Sequence, residues 1–207
     1  MNHPAKPSRP LFSAFAALGG ALLLAACGAN APAAEPERPP LEGASIGGDF
    51  QLVDTTGKQV GWGDFAGKYR IVYFGYAFCP DICPNDMSQT ARALAELRKT
   101  DPAKVAKIQP IFITIDPERD TPEVIDQFTR AFSDDFVGLT GTPEQVAAAA
   151  KTFAVYAAKG EDVGGGQYLM DHSNIVYLFG PSGEPLATLP VDQGPEAVAA
   201  EIDKWVS

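Results

Sequence analysis

Two thiols and one imidazole are the donor atoms in this chain whose type and spacing could do chemistry. Cys79 and Cys83 lie in Phe78-Cys79-Pro80-Asp81-Ile82-Cys83-Pro84, and His172 lies in Tyr168-Leu169-Met170-Asp171-His172-Ser173. The third cysteine, Cys27, ends Leu24-Ala25-Ala26-Cys27 after an apolar run, and the second histidine, His3, precedes that run. Such a segment reads as an export signal, cleaved before a cysteine that is then lipidated. The mature chain is then left with two free thiols and one imidazole. Thiolates are soft ligands that suit Cu(I), and an added imidazole suits Cu(II) better than sulfur alone, so the set points to copper.

The four-residue spacing places Cys79 and Cys83 on one face of a helical turn. Near a helix N-terminus the free N–H groups and the dipole favour thiolate over thiol. Pro80 and Pro84 remove two backbone donors and stiffen the loop around the pair. The same residues admit a structural disulfide or metal-free thiol exchange, and these readings stay open beside metal binding. Zinc is the rival metal, but structural zinc sites complete four protein ligands and the sequence offers no fourth. Met87 and Met170 carry thioethers that are read as packing rather than ligation.

The elements that must position these groups can be read from the pattern. Phe50–Val53 and Gln59-Val60 flank a Gly-containing turn and read as a β-hairpin. Arg70–Tyr76 is an apolar and aromatic run, expected as a central strand buried on both faces. A helix through Met87, Ala91, Leu94 and Leu97 follows and ends in Arg98-Lys99, and Ile108–Ile115 is a second buried strand. Asp120-Thr121-Pro122-Glu123 and Thr142-Pro143-Glu144-Gln145 each put a capping residue before a proline and start further helices. Asn174–Phe179 and Glu184–Leu189 form a hairpin around Gly180-Pro181-Ser182-Gly183, and an amphipathic helix over Pro195–Val206 closes the chain. Alternation of this kind means α/β. Cysteines at the strand-to-helix turn make it a thioredoxin-like fold, with an N-terminal β-hairpin and helices on both faces of a central mixed sheet.

In that arrangement the strand after His172 runs antiparallel beside the cysteine-bearing strand, which brings His172 next to Cys79. Thioredoxin-like oxidoreductases usually place a proline there. This chain has none between Pro143 and Pro181 and offers histidine instead. Gly164-Gly165-Gly166 upstream reads as a mobile loop able to close His172 onto metal already held by the thiols. Asp81 is a candidate to tune thiol acidity. Asp116, at the end of the neighbouring strand, is a candidate to support the ligands from behind. Both also fit ordinary turn and loop positions.

Residues 1–26 are read as the signal, with Lys6 and Arg9 before the apolar stretch Leu11–Ala26. That stretch is 16 residues, short of the roughly 20 that span a bilayer. Residues 27–47 follow as a lipidated Cys27 and a Pro- and Ala-rich tether, able to reach roughly 60 Å at about 3.1 Å per residue. Residues 48–207 remain for the folded domain. Lipidation of Cys27 would hold it at the extracytoplasmic, periplasmic side of a bacterial membrane, where disulfides persist. The formal charge is −10, and loss of residues 1–26 leaves 14 basic against 26 acidic side chains, a net −12. Nucleic acid is excluded as a partner by that charge.

The ordered set of motifs resembles the Sco (SenC) proteins, copper chaperones of cytochrome c oxidase assembly. It comprises Tyr73-Phe74-Gly75-Tyr76 before Cys79-Pro80-Asp81-Ile82-Cys83-Pro84, then Asp116-Pro117-Glu118-Arg119-Asp120-Thr121-Pro122, Gly138-Leu139-Thr140-Gly141 and Asp171-His172-Ser173. The resemblance covers about residues 48–206. It implies copper, as Cu(I) or Cu(II), on Cys79, Cys83 and His172. It also implies delivery to the copper-bearing subunit of the oxidase, with another periplasmic copper carrier as a further partner. A thiol-disulfide oxidoreductase acting on the cysteines of that copper site is the alternative, so enzymatic activity is left open as thiol exchange beside the chaperone role. Many relatives have a transmembrane anchor where this chain has a lipobox.

Overall fold

The apolar run of the central strand forms β3 (Tyr69–Gly75), and all seven of its residues are buried. In this computed structural model, residues 37–165 and 167–207 are described. The expected signal, Cys27, the tether as far as residue 36, and Gly166 lie outside the described residues. Arg38–Ser207 forms one compact unit.

Ahead of β3 come the hairpin strands β1 (Gln51–Asp54) and β2 (Gln59–Gly61). After it follow α1 (Ile82–Thr100), the single turn α2 (Pro102–Val105) and β4 (Ile108–Thr114). Then come α3 (Pro122–Arg130), β5 (Val137–Thr140) and α4 (Pro143–Thr152). The chain continues through β6 (Ala157–Gly164), β7 (Gln167–His172), β8 (Val176–Phe179), β9 (Pro185–Thr188) and α5 (Pro195–Trp205).

Seven strands form one mixed sheet in the order β2-β1-β5-β4-β3-β8-β9. β3 is parallel to β4 and antiparallel to β8, with Tyr73 opposite Val176. The thioredoxin-like arrangement is therefore present. Helices cover both faces, because successive β3 side chains point to opposite sides. Tyr73 meets Phe112 on the side covered by α1. Phe74 meets Phe153, just after α4, on the other. Each large apolar side chain buried this way contributes about 1.5–3 kcal/mol.

The helix starts follow their caps. The Thr142 hydroxyl accepts from the Gln145 N–H while the Gln145 side chain accepts from the Thr142 N–H. At α3 the cap is Thr121, whose hydroxyl accepts from the Val124 N–H. Asp120, one residue before the cap, is fully buried and has another task, described below.

Two regions differ from the sequence reading. The stretch upstream of His172 is not a loop but the antiparallel pair β6–β7, with Gly164 and Gly165 at its tip in positive-φ conformations. His172 ends β7 at the opposite end of the pair, beside Ala157. Glycine freedom thus sits five residues or more from the imidazole, roughly 16 Å along a strand, which removes the basis for a glycine-driven closure at His172. Residues 41–47, read as tether, lie against the domain. The Leu41 N–H donates to the Leu186 carbonyl, and the Gly47 N–H to the Thr152 carbonyl. Leu41 and Ile46 also pack on the core, and those apolar contacts are what a Pro- and Ala-rich composition conceals.

Candidate metal centre

Gly75 ends β3 where α1 begins to lie against it. A Cβ there would come within 3.0 Å of the Tyr73 ring and 3.1 Å of both Cys83 Sγ and the Phe112 ring. The absence of a side chain lets the first turn of α1 approach the strand. Cys79 precedes the helix, in a turn closed by its N–H donating to the Tyr76 carbonyl at 3.2 Å. Cys83 is the second residue of α1, fully buried. Its N–H is one of the helix's unpaired donors, and it points at Cys79 Sγ, 3.4 Å away. Asp81 holds the cap position without a side-chain capping bond, so the sulfur of Cys79 takes the role an oxygen usually plays.

His172 arrives from β7. Its base is fixed by the Ser173 N–H donating to the Tyr156 carbonyl and the Tyr156 N–H donating to the Ser173 hydroxyl, at 3.0 and 3.1 Å. Nδ1 lies 2.9 Å from the Ser173 carbonyl, to which it donates. That assigns the proton to Nδ1 and leaves Nε2 to face Cys83 Sγ at 3.5 Å. Tyr76 meets the imidazole edge-on at 5.9 Å. The donor atoms of Cys79, Cys83 and His172 all lie within 4.8 Å of one another. A single ion bonds nitrogen and sulfur at about 2.0–2.3 Å, so small adjustments bring all three onto one ion. Phe78 and Ile82 are both nearly half exposed and flank Cys79, making an apolar rim around its half-buried sulfur.

The electrostatics separate the two thiols. The Cys79 thiol is held well below the usual range. Its largest cause is the hydrogen bond from the Cys83 thiol, joined by His172 and by the N–H groups of Cys83 and Asp81 and opposed by burial. Cys83 is pushed far up by that same hydrogen bond and by burial. Burial alone would lower His172, but the Cys79 sulfur, the Ser173 carbonyl and the charges of Cys79 and Asp86 raise it above the ordinary imidazole value. A sulfur that ionises readily thus sits beside one that keeps its proton, next to an imidazole whose hold on a proton is strengthened by the Cys79 sulfur and the Ser173 carbonyl.

Of the two carboxylates singled out in the sequence, neither joins the donor cluster. Asp81 is exposed and acts through its backbone N–H. Asp116 is buried, accepts from the Tyr168 hydroxyl at 2.8 Å and pairs with Arg119 Nε at 2.5 Å. The loop from Asp116 to Asp120 is therefore no solvated connector. Asp120 accepts from the Thr114 hydroxyl at 2.6 Å and from the Ala77 N–H at 3.0 Å, tying the chain just before Cys79 to β4. Its carboxyl is pushed up to about 6 by burial.

Sequence reasoning missed Asp120's role, Arg119, Tyr168 and Asp86. Asp86 lies three residues after Cys83 on the buried face of α1, a spacing that was visible. Burial raises its carboxyl despite the nearby Tyr73 hydroxyl. Met87 is core, and Met170 lines a cavity of about 510 Å³ between α4, the Ile115–Glu118 segment and β6–β7.

Two soft sulfurs and an imidazole without a carboxylate fit copper better than a hard cation. Among the described residues no fourth ligand completes a structural zinc site. Both thiols are free, so the pair is also competent for exchange.

Comparison with known proteins agrees over the same region. The SCO1/SenC family model matches residues 38–207. Protein SenC of Rhodobacter capsulatus is 40% identical over 159 residues, 77% of this chain and 70% of the relative. The human mitochondrial SCO1 homolog is 36% identical over 157 residues, 76% of this chain and 52% of that protein. The chain thus spans about half the length of the mitochondrial relative. Among solved structures, ScoI of Bradyrhizobium japonicum with copper bound superposes with a TM-score of 0.70 at 34% identity, covering 78% of this chain and 99% of the other.

Proposed function

Because this chain belongs to the SCO1/SenC family, we propose that it is a copper chaperone that holds its cargo on Cys79, Cys83 and His172. The observation that carries this reading is the convergence of the three donor atoms within 4.8 Å. A copper-bound relative at 34% identity supports the choice of metal. The receiving partner is the copper-bearing subunit of cytochrome c oxidase, with another periplasmic copper carrier as a further partner. The domain works outside the cytoplasm, anchored by lipid at Cys27.

The residues divide the work. Cys79 offers a half-exposed thiolate as first contact, Cys83 adds the second sulfur once its proton leaves, and His172 adds a borderline nitrogen that favours Cu(II). His172→Ala should weaken Cu(II) binding by more than about 100-fold, read by competition titration and by loss of the thiolate-to-copper absorption. Thiol exchange should stay close to wild type. Unchanged Cu(II) affinity and spectrum in that variant would count decisively against the site.

A second reading, thiol-disulfide exchange that keeps the client's cysteines reduced, is favoured by the asymmetry of the pair: a partly buried thiolate backed by a fully buried thiol. Rapid reduction of a mixed disulfide by protein that keeps no copper after desalting selects this reading over the first.

A further inference from the structure

His172 comes to the sulfurs on an arm outside the main sheet: β6 and β7 pair only with each other. No ladder hydrogen bond from the sheet sets how far the imidazole stands from Cys83. Along β7 the half-buried side chains alternate as Tyr168, Met170 and His172. The cavity under Met170 leaves the middle of the arm incompletely backed. The firm contact is at Tyr168. Arg119 Nη1 donates to the Tyr168 carbonyl at 2.9 Å, and its guanidinium lies 3.6 Å from the centre of the Tyr168 ring. Asp116 completes the clamp, pairing with Arg119 Nε and accepting from the Tyr168 hydroxyl. The same guanidinium lies 5.2 Å from the Phe78 ring and 5.8 Å from the Tyr76 ring, on the segment that leads into Cys79.

We propose that Arg119 is a positioning residue: it fastens the histidine-bearing arm to the cysteine-bearing loop and so sets the separation between the imidazole and the two sulfurs. This rests on the copper reading above. Its planar fork uses one edge on a carboxylate, another on a carbonyl and a face on an aromatic ring, which an ammonium cannot reproduce. The other charged link from arm to body, Lys159 to Glu118, is exposed at both ends and too weak to substitute.

The test compares wild type, Arg119→Gln, Arg119→Lys and the exposed-pair control Lys159→Gln. Asp116→Asn/Arg119→Gln is added to avoid leaving a buried unpaired carboxylate if Arg119→Gln folds poorly. Two readouts are taken: amide hydrogen exchange of residues 157–172 in the metal-free protein, and Cu(II) absorption and release against Cu(I) binding in the loaded protein. In the Arg119 variants we expect arm amides to exchange about tenfold faster or more. Cu(II) should leave about 10- to 100-fold faster, with Cu(I) held by the sulfurs within about twofold. Lys159→Gln should match wild type in both. Wild-type protein without a thiolate-to-Cu(II) band overturns the copper reading and this inference with it. A normal wild-type band, with Arg119 variants matching it in band, release and arm exchange, overturns the inference alone. So does faster arm exchange with an unchanged Cu(II) site.

Discussion

Cys79 and Cys83 differ more than their shared motif suggests. One sulfur is half exposed and held as thiolate by its neighbours; the other is fully buried and holds its proton. An ordinary thiol loses reactivity about tenfold per pH unit below its pKa, because only the thiolate attacks. With its pKa depressed, Cys79 should alkylate at nearly the same rate between about pH 8 and about pH 5, while Cys83 stays unmodified at both ends. Peptide mass spectrometry after timed iodoacetamide treatment reads this directly; equal labelling of both thiols, or a steep fall at Cys79, contradicts the assignment. The three donors were legible in the sequence because the chain has so few soft donors. Arg119, Asp120 and Asp86 were not, because their meaning comes from burial. A charged residue in Asp116-Pro117-Glu118-Arg119-Asp120 looks solvated until packing shows Asp116 and Asp120 inside.

Among the elements, the strand-to-helix junction is the most constrained. Gly75 leaves no room for a methyl group without displacing Tyr73, Cys83 or Phe112. Gly75→Ala should destabilise the domain by about 1–3 kcal/mol, as overpacked cores do, and shift Cys83 enough to alter the copper spectrum. Denaturant unfolding and absorption together check this, and an unchanged midpoint with an unchanged spectrum would show that the junction relaxes freely. The buried strands β3 and β4 were readable from their continuous apolar runs, and α3 and α4 from their caps. The arm was not readable. β6, Ala157–Gly164, has two glycines and three charged residues and no steady alternation, so nothing in it announces a strand. Only β7 alternates, and its pattern gains sense once the Tyr168 clamp is seen.

For the whole molecule, the domain begins earlier than its composition implied. Leu41 and Ile46 pack on the core, and two backbone hydrogen bonds pin this stretch to Leu186 and Thr152. A protein starting at Gly48 should be less stable than one starting at Arg38 by about 1–3 kcal/mol, the worth of burying one such side chain. Thermal unfolding of the two lengths tests it, and equal midpoints would return the stretch to the linker. The point of entry also fixes which way the domain looks. Gly47 lies against Phe179, which pairs with Arg70 at the start of β3, whereas Cys79 follows the finish of that strand. The polypeptide therefore joins the body at its back. Within the described residues, the incoming stretch and the two sulfurs thus occupy opposite ends of the central strand.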